Sequence, residues 1–195
     1  MSRVAVVLAG GEGRRMGGAK PTRAYGDTTL IARAIAHART QADTVAVALR
    51  HPGQAGAALV VPQLLDDLRL EGPLAGLASA LAFGRRKRAA HVLTLPCDSP
   101  GLPTDLRQRL EAALDAQDTM RVAVAASGGS LHPVCALWPT AALPQLRRYA
   151  ASGRSSLKGF AELLGMEVVA WAAEPEDPFA NANTPEDLAA LQPRP

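Results

Sequence analysis

Apolar runs and amphipathic stretches alternate along the chain. Val4-Ala5-Val6-Val7-Leu8 is apolar throughout, as expected of a strand buried on both faces. Ala9 to Asp27 reads as loop. Thr28 reads as an N-cap for a helix whose stripe is Leu30-Ile31, Ala34-Ile35 and Ala38. Asp43 to Leu49 predicts a second strand, ended by His51-Pro52-Gly53. Leu59-Val60-Val61, closed by Pro62, predicts a short third. Pro73 sits where a helix begins, and Leu74, Leu77, Ala78 and Leu81 form its apolar face. Ala90 to Leu95 predicts a fourth strand, which runs into the breakers Pro96-Cys97-Asp98-Ser99-Pro100.

In the second half Thr104 reads as the cap of a helix carrying Leu106, Leu110 and Leu114. Arg121 to Ala126 and Leu131 to Trp138 predict strands joined by a hairpin-like turn, Ser127-Gly128-Gly129-Ser130. Pro139 to Ala151 reads helical, with Pro144 either a kink or the first turn. A helix over Ser155 to Leu164, a strand over Glu167 to Trp171 and a helix over Thr184 to Leu191 follow. Thr184 and Asp187 fit a capping box. Strands alternating with helices predict an α/β fold: a mostly parallel sheet, helices on both faces, and an antiparallel addition near Ser127. No linker or repeat divides the chain, so residues 1–195 read as one domain. Ligands on such sheets bind where strands end. The loops Gly10–Lys20, Asp66–Gly76 and Pro96–Pro100 should therefore share one crevice.

Composition narrows the class. With 195 residues, 48% hydrophobic and 20% charged, one sizeable core is expected. No apolar run approaches the ~18 residues of a membrane span, and Val4 to Gly10 is too short for a signal peptide. Two cysteines, Cys97 and Cys135, lack zinc spacing and fit a reducing cytoplasm. A net charge of +3 is weak support for nucleic acid, and 4% aromatic residues leave little for base stacking. Arg85-Arg86-Lys87-Arg88 reads as a solvated helix C-terminus, favoured by the helix dipole. Neither a membrane nor a nucleic acid is expected as partner.

The chemistry concentrates in Leu8-Ala9-Gly10-Gly11-Glu12-Gly13-Arg14-Arg15-Met16-Gly17-Gly18-Ala19-Lys20. Glycines let backbone N–H groups approach phosphate oxygens, and Arg14, Arg15 and Lys20 add charge. Ala19-Lys20-Pro21 breaks the Walker pattern, and Met16 stands where a dinucleotide fingerprint needs glycine. Asp98 closes a strand opposite this loop, where a Mg²⁺ ligand would sit. Its alternative role is a turn cap. Cys97 reads as a packed side chain rather than a nucleophile. His132, before Pro133, reads as a hydrogen-bonded strand histidine, with a ligand role as the alternative. Asp66 or Asp67 either serves a nucleotide or caps a solvated turn.

Taken together these residues resemble a family. Leu8-Ala9-Gly10-Gly11, Arg15-Met16-Gly17-Gly18 and Lys20 are similar to the signature loop of nucleotidyltransferases acting on the molybdenum cofactor. Gly72-Pro73-Leu74-Ala75-Gly76, Pro96-Cys97-Asp98-Ser99-Pro100, His132-Pro133 and Asn181-Ala182-Asn183-Thr184-Pro185 resemble further blocks of its guanylyltransferase (MobA-type) branch. The resemblance implies a Rossmann-like three-layer sandwich. It also implies Mg²⁺-dependent transfer of GMP from GTP to the terminal phosphate of molybdopterin, with or without bound molybdenum. By position, Leu8, Ala9, Gly10 and Gly11 would contact the nucleotide, Lys20 its phosphates, Asp66 the nucleoside and Asp98 the metal and nucleotide. Arg15 and Lys20 would stabilise the departing pyrophosphate. Asn181 and Asn183 would face the cofactor substrate. Transient contact with cofactor-synthesis or acceptor proteins would accompany such a role. Two positions depart from the family: Ala19 stands where aspartate usually precedes the lysine, and Val47-Ala48-Leu49 stands where an asparagine often helps hold the nucleotide. A cytidylyltransferase of the same fold and a non-catalytic nucleotide-binding module are the alternatives.

Overall fold

The apolar run Val4–Leu8 forms β1, flanked on both sides by parallel partners in a seven-stranded sheet. The computed structural model describes residues 2–11, 13, 18, 20–56, 59–67, 69–114 and 119–192. After β1 come a small hairpin, β2 (Ala24–Tyr25) with β3 (Thr28–Thr29), then α1 (Leu30–Gln41), β4 (Thr44–Leu49) and β5 (Gln63–Leu65). The chain continues through α2 (Pro73–Arg86), β6 (His91–Pro96), α3 (Leu106–Ala112), β7 (Val122–Ser127) and β8 (Ser130–Pro139). It ends with α4 (Leu143–Ala151), α5 (Leu157–Leu164), β9 (Met166–Trp171) and α6 (Pro185–Ala190). Strand order is β5-β4-β1-β6-β8-β7-β9. Among the described strands of this sheet, β8 alone runs against the common direction, antiparallel to β6 and β7.

The alternation of β1 divides the molecule into three layers, because successive strand side chains point to opposite faces. Val4 and Val6 pack with Leu74, Leu77 and Leu81 of α2 and with residues of α4 and α5. Ala5 and Val7 pack with Ile31 and Ile35 of α1 and Leu106 of α3. Burying each such leucine contributes roughly 2–3 kcal/mol. The expected α/β sandwich with its antiparallel addition is what forms. The addition lies within the sheet rather than at its margin, since β9 returns parallel to β7 beyond it. No helix among the described residues is long and apolar enough to cross a membrane.

The turn between β7 and β8 is tight because Gly128 (φ 52°) and Gly129 (φ 77°) both adopt left-handed backbone, the requirement of a two-residue hairpin loop. Pairing then shifts, from Ala125 opposite His132 to Val124 opposite Ala136. Pro133 lies in the extra segment; lacking an N–H, it suits a bulge in an interior strand. This bulge turns Leu131 to Cys135 toward the end of the sheet where the parallel strands finish.

Several boundaries move. The third strand is Gln63–Leu65, not Leu59–Val61. Val47 N–H donates to the Pro62 carbonyl at 3.0 Å, so pairing starts where the apolar run stops, and Val60 is 82% exposed. Thr29, not Thr28, caps α1, its hydroxyl accepting from Ala32 N–H. Asp105 rather than Thr104 precedes α3, while the Thr104 carbonyl accepts from Gln41. Pro144 lies in the first turn of α4, following a separate 3-10 turn over Thr140–Ala142. The capping box of Thr184 and Asp187 forms as expected.

Candidate active site

The loops leaving β1, β5 and β6 converge on one crevice of about 940 Å³. Gly10, Asp66, Gly76, Lys20, Asp98 and Asn183 all line it. From β5 to β8 the sheet is four strand spacings wide, roughly 19 Å at ~4.8 Å each. That span separates the Asp66 end of the crevice from its β8 end.

At one end stands Asp66. Its backbone N–H donates to the Leu49 carbonyl at 2.8 Å, extending the β4–β5 pairing. Its carboxylate rests against two glycines: a Cβ on Gly10 would lie 2.2 Å from Oδ2, and one on Gly76 3.4 Å from Oδ1. Oδ1 is buried without a hydrogen-bond partner among the described residues. Burial pushes the Asp66 carboxyl above its ordinary range, and the nearby Arg50 guanidinium opposes that rise. A buried oxygen with no donor is costly unless a ligand supplies one. Gln54, unnoticed in the sequence, ties this end together. Its side chain accepts from Arg50 N–H at 2.8 Å and donates to the Gly11 carbonyl at 3.0 Å.

At the centre the first loop delivers Lys20. Gly18 N–H donates to the Gly13 carbonyl at 3.0 Å. Gly13 (φ 59°) approaches Lys20 so closely that a Cβ there would lie 2.7 Å from the lysine Cβ. The turn Lys20–Thr22 buries Pro21 and fixes the lysine's stem. Its ammonium makes an ion pair with Asp98 Oδ2 and donates to Asn183 Oδ1 at 3.1 Å. Both charged side chains are largely buried, at 12% and 19% exposure. Asp98 is therefore a charged member of the crevice rather than a turn cap. Arg15, expected beside Lys20, lies outside the described residues, as do Glu12, Arg14, Met16, Gly17 and Ala19.

The closing motif is pinned over the Asp98 turn. Ala182 N–H donates to the Asp98 carbonyl at 2.8 Å, and Ser99 donates its hydroxyl hydrogen to Asn181 Oδ1. Asn183 N–H donates to Asp187 Oδ2 at 3.0 Å, in the capping box of α6. The capping box thus sets where Asn183 meets Lys20. Leu8, Ala9, Gly10, Gly11, Lys20, Asp66, Asp98, Asn181 and Asn183 share this one crevice. Cys97 and Cys135 line its floor as buried free thiols. Burial, reinforced by Asp98, pushes the Cys97 thiol up to about 12, so it is inert as a nucleophile. Leu49, in the region where the resemblance leads one to expect an asparagine, is fully buried in the core and is not among the residues lining the crevice.

His132 is the hydrogen-bonded strand histidine expected, bonded to Ser127, and it lines the crevice. Phe179 and Asp177 beside it carried no sequence signal; they arrive through a contact spanning fifty residues. Among the described residues no three His, Cys, Asp or Glu side chains form a metal cage. One carboxylate, Asp98, suits a Mg²⁺ ion that takes its other ligands from substrate phosphates and water.

Comparison with known proteins shows the family. Residues 5–168 match the MobA-like NTP transferase domain. A molybdenum cofactor guanylyltransferase of Rhodopseudomonas palustris (strain BisB5) is 41% identical over 194 residues, covering 96% of this chain and 91% of that protein. One from Acidiphilium cryptum (strain JF-5) is 39% identical, covering 96% and 93%. The crystal structure of molybdopterin-guanine dinucleotide biosynthesis protein A from Archaeoglobus fulgidus shares the fold, with a TM-score of 0.72 at 21% identity, covering 96% and 95%. The chain belongs to the MobA-like NTP transferase family, whose molybdenum cofactor guanylyltransferases it matches along nearly its whole length.

Proposed function

We propose that this enzyme transfers GMP from GTP to the terminal phosphate of molybdopterin, bare or molybdenum-bound, and releases pyrophosphate. The observation that carries the reading is the Lys20 ammonium, held between Asp98 and Asn183 at the centre of the crevice. Asp66 and the glycines of the first loop stand on one side of it, and the closing motif on the other. A cation at that point is where the phosphates of one substrate would meet the attacking phosphate of another.

The reaction needs no enzyme-bound intermediate. A terminal phosphate oxygen of the acceptor forms a bond to the α-phosphorus of GTP. The bond from that phosphorus to the bridging oxygen breaks, and pyrophosphate leaves with the electron pair. Both reactants are anionic, so catalysis is positioning and charge stabilisation. Lys20 stabilises the charge gathering on the leaving group. Arg15 would join it there, and the N–H groups of Gly10 and Gly11 would bind phosphate oxygens. Asp98 would hold Mg²⁺, which when bound neutralises phosphate oxygens and orients the α-phosphate. Asp66 would accept a hydrogen bond from the nucleoside through its unpartnered oxygen. Asn183 steers Lys20 through its Oδ1, and Asn181, held by Ser99, borders the acceptor side.

Incubation with GTP, Mg²⁺ and molybdopterin tests the reading. Pyrophosphate should be released in step with guanine dinucleotide. GTP left intact would refute it, and CTP consumed in preference would reassign the base while keeping the reaction. Chelation of divalent ions should stop turnover, and addition of Mg²⁺ should restore it.

A further inference from the structure

The hydrogen bonds around Ser127 determine which nitrogen of His132 carries its proton. The Ser127 hydroxyl has a single hydrogen, and Asp177 Oδ1 lies 2.7 Å from its oxygen. A carboxylate only accepts, so that hydrogen goes to Asp177. His132 Nε2 lies 2.7 Å from the same serine oxygen and must therefore donate to it. Burial holds the imidazole below its ordinary range, against the pull of Asp177. The neutral ring then keeps a lone pair on Nδ1.

The same carboxylate builds the support beneath the ring. Asp177 Oδ1 also accepts from Phe179 N–H at 2.9 Å, drawing Phe179 under His132. The rings are stacked, with centroids 4.6 Å apart and planes 10° from parallel. Phe179 is 2% exposed. Trp171 meets its edge at 5.4 Å, and the Trp171 indole N–H donates to Asp105 at 3.0 Å. One face of His132 is thus covered and one edge is bonded. His132 lines the crevice, and among the described contacts its other face and its Nδ1 edge are what the stack and the Ser127 bond leave uncovered.

We propose that His132 is the platform for the flat heterocycle of the acceptor substrate, with Nδ1 accepting a hydrogen bond from an N–H of that ring; this rests on the molybdopterin reading above. Its place in the sheet says which substrate. His132 is on β8, beyond β6, while Asp66 follows β5, roughly 19 Å away across the strands. A guanine bound at Asp66 with its phosphates at Lys20 leaves the His132 end to the second substrate. A pterin has both features the platform reads: a planar π-system and N–H donors. Stacking of a heterocycle on an aromatic side chain is worth about 1–3 kcal/mol by alanine substitution, and Nδ1 adds direction.

Two variants, His132→Ala and His132→Phe, test the proposal in two measurements. The first is steady-state kinetics with molybdopterin and GTP varied separately. His132→Ala should raise the KM for the acceptor about tenfold or more and leave that for GTP within about twofold. His132→Phe keeps the stack but loses the acceptor atom, so its defect should be smaller than that of alanine. The second measurement needs no turnover: titration of 6-hydroxymethylpterin and its fluorescence quenching by the protein. Wild type should quench, and His132→Ala should not. An unchanged acceptor KM and unchanged quenching in His132→Ala would overturn the proposal. So would equal rises in both KM values. If alanine prevents folding, the phenylalanine variant, which refills the space, decides by the same split. If GTP is never consumed yet wild type quenches the pterin and the variant does not, the platform stands and the guanylyl-transfer reading falls.

Discussion

Replacing Gly10 by alanine should expose how tightly the nucleoside end of the crevice is built. The added Cβ would lie 2.2 Å from Asp66 Oδ2, 3.2 Å from its Cγ and 3.4 Å from Arg50 N. Unbonded heavy atoms settle near ~3.5 Å, so something must move by about 1 Å. Asp66 cannot simply swing away, because its other oxygen already rests against Gly76 and its backbone is paired to Leu49. The φ of Gly10 lies outside the left-handed region, so alanine adds no backbone strain and the cost is the clash itself. Overpacking of this kind costs ~1–3 kcal/mol. For a chain of this size ~2 kcal/mol corresponds to a fall of roughly 4–8 °C in Tm. The assay is a double-mutant cycle by thermal unfolding with Asp66→Ala, which removes the atoms being struck. In the Asp66→Ala background, Gly10→Ala should cost almost nothing, giving a coupling of about 1–3 kcal/mol. Costs that add within ~0.5 kcal/mol would refute the reasoning, as would a Gly10→Ala variant that melts like wild type. Calorimetric titration of GTP into Gly10→Ala should show weaker binding, since the displaced carboxylate faces the site.

Other consequences are separately measurable. Burial raises the Asp66 pKa above its unfolded value, so between the two values the folded state binds more protons and stability falls as pH rises. Asp66→Asn should therefore gain stability on wild type as pH climbs above the ordinary carboxylate range, while losing GTP affinity; parallel urea curves would contradict this. Lys20→Ala and Asp98→Ala should each lose about a hundredfold or more in turnover. Both should keep wild-type far-UV circular dichroism, and an unfolded spectrum would mark the pair as structural. Cys97, held at about 12 by burial, and Cys135, raised also, should resist a thiol reagent at pH 8 until denaturant is added; fast labelling of the native protein would contradict their burial.

What the sequence made legible depended on how locally each feature is encoded. The run Val4–Leu8 is apolar throughout because both faces of β1 are covered, and that is visible residue by residue. The glycines at 128 and 129 announce a hairpin on their own. Lys20 and Asp98 were found as types, one in a glycine-rich loop and one at a strand's end. Their pairing across 78 positions followed only from topology. The failures are features that no short window holds. Leu59–Val61 looks like a strand, but an edge position leaves Val60 in solvent and lets Pro62 choose the register. His132 is the hydrogen-bonded strand histidine expected, but its partners were not legible. Pro133 next to it signals an interrupted strand, yet not which way the bulge would turn. The partners that define its proton, Ser127 and Asp177, stand five residues before it and forty-five after it. A histidine's role is set by what its two nitrogens meet, and here one meeting is made by a hairpin and the other is left to the crevice. Sequence could place the imidazole near the site; only the fold shows that Ser127 and Asp177 hold its Nε2 edge.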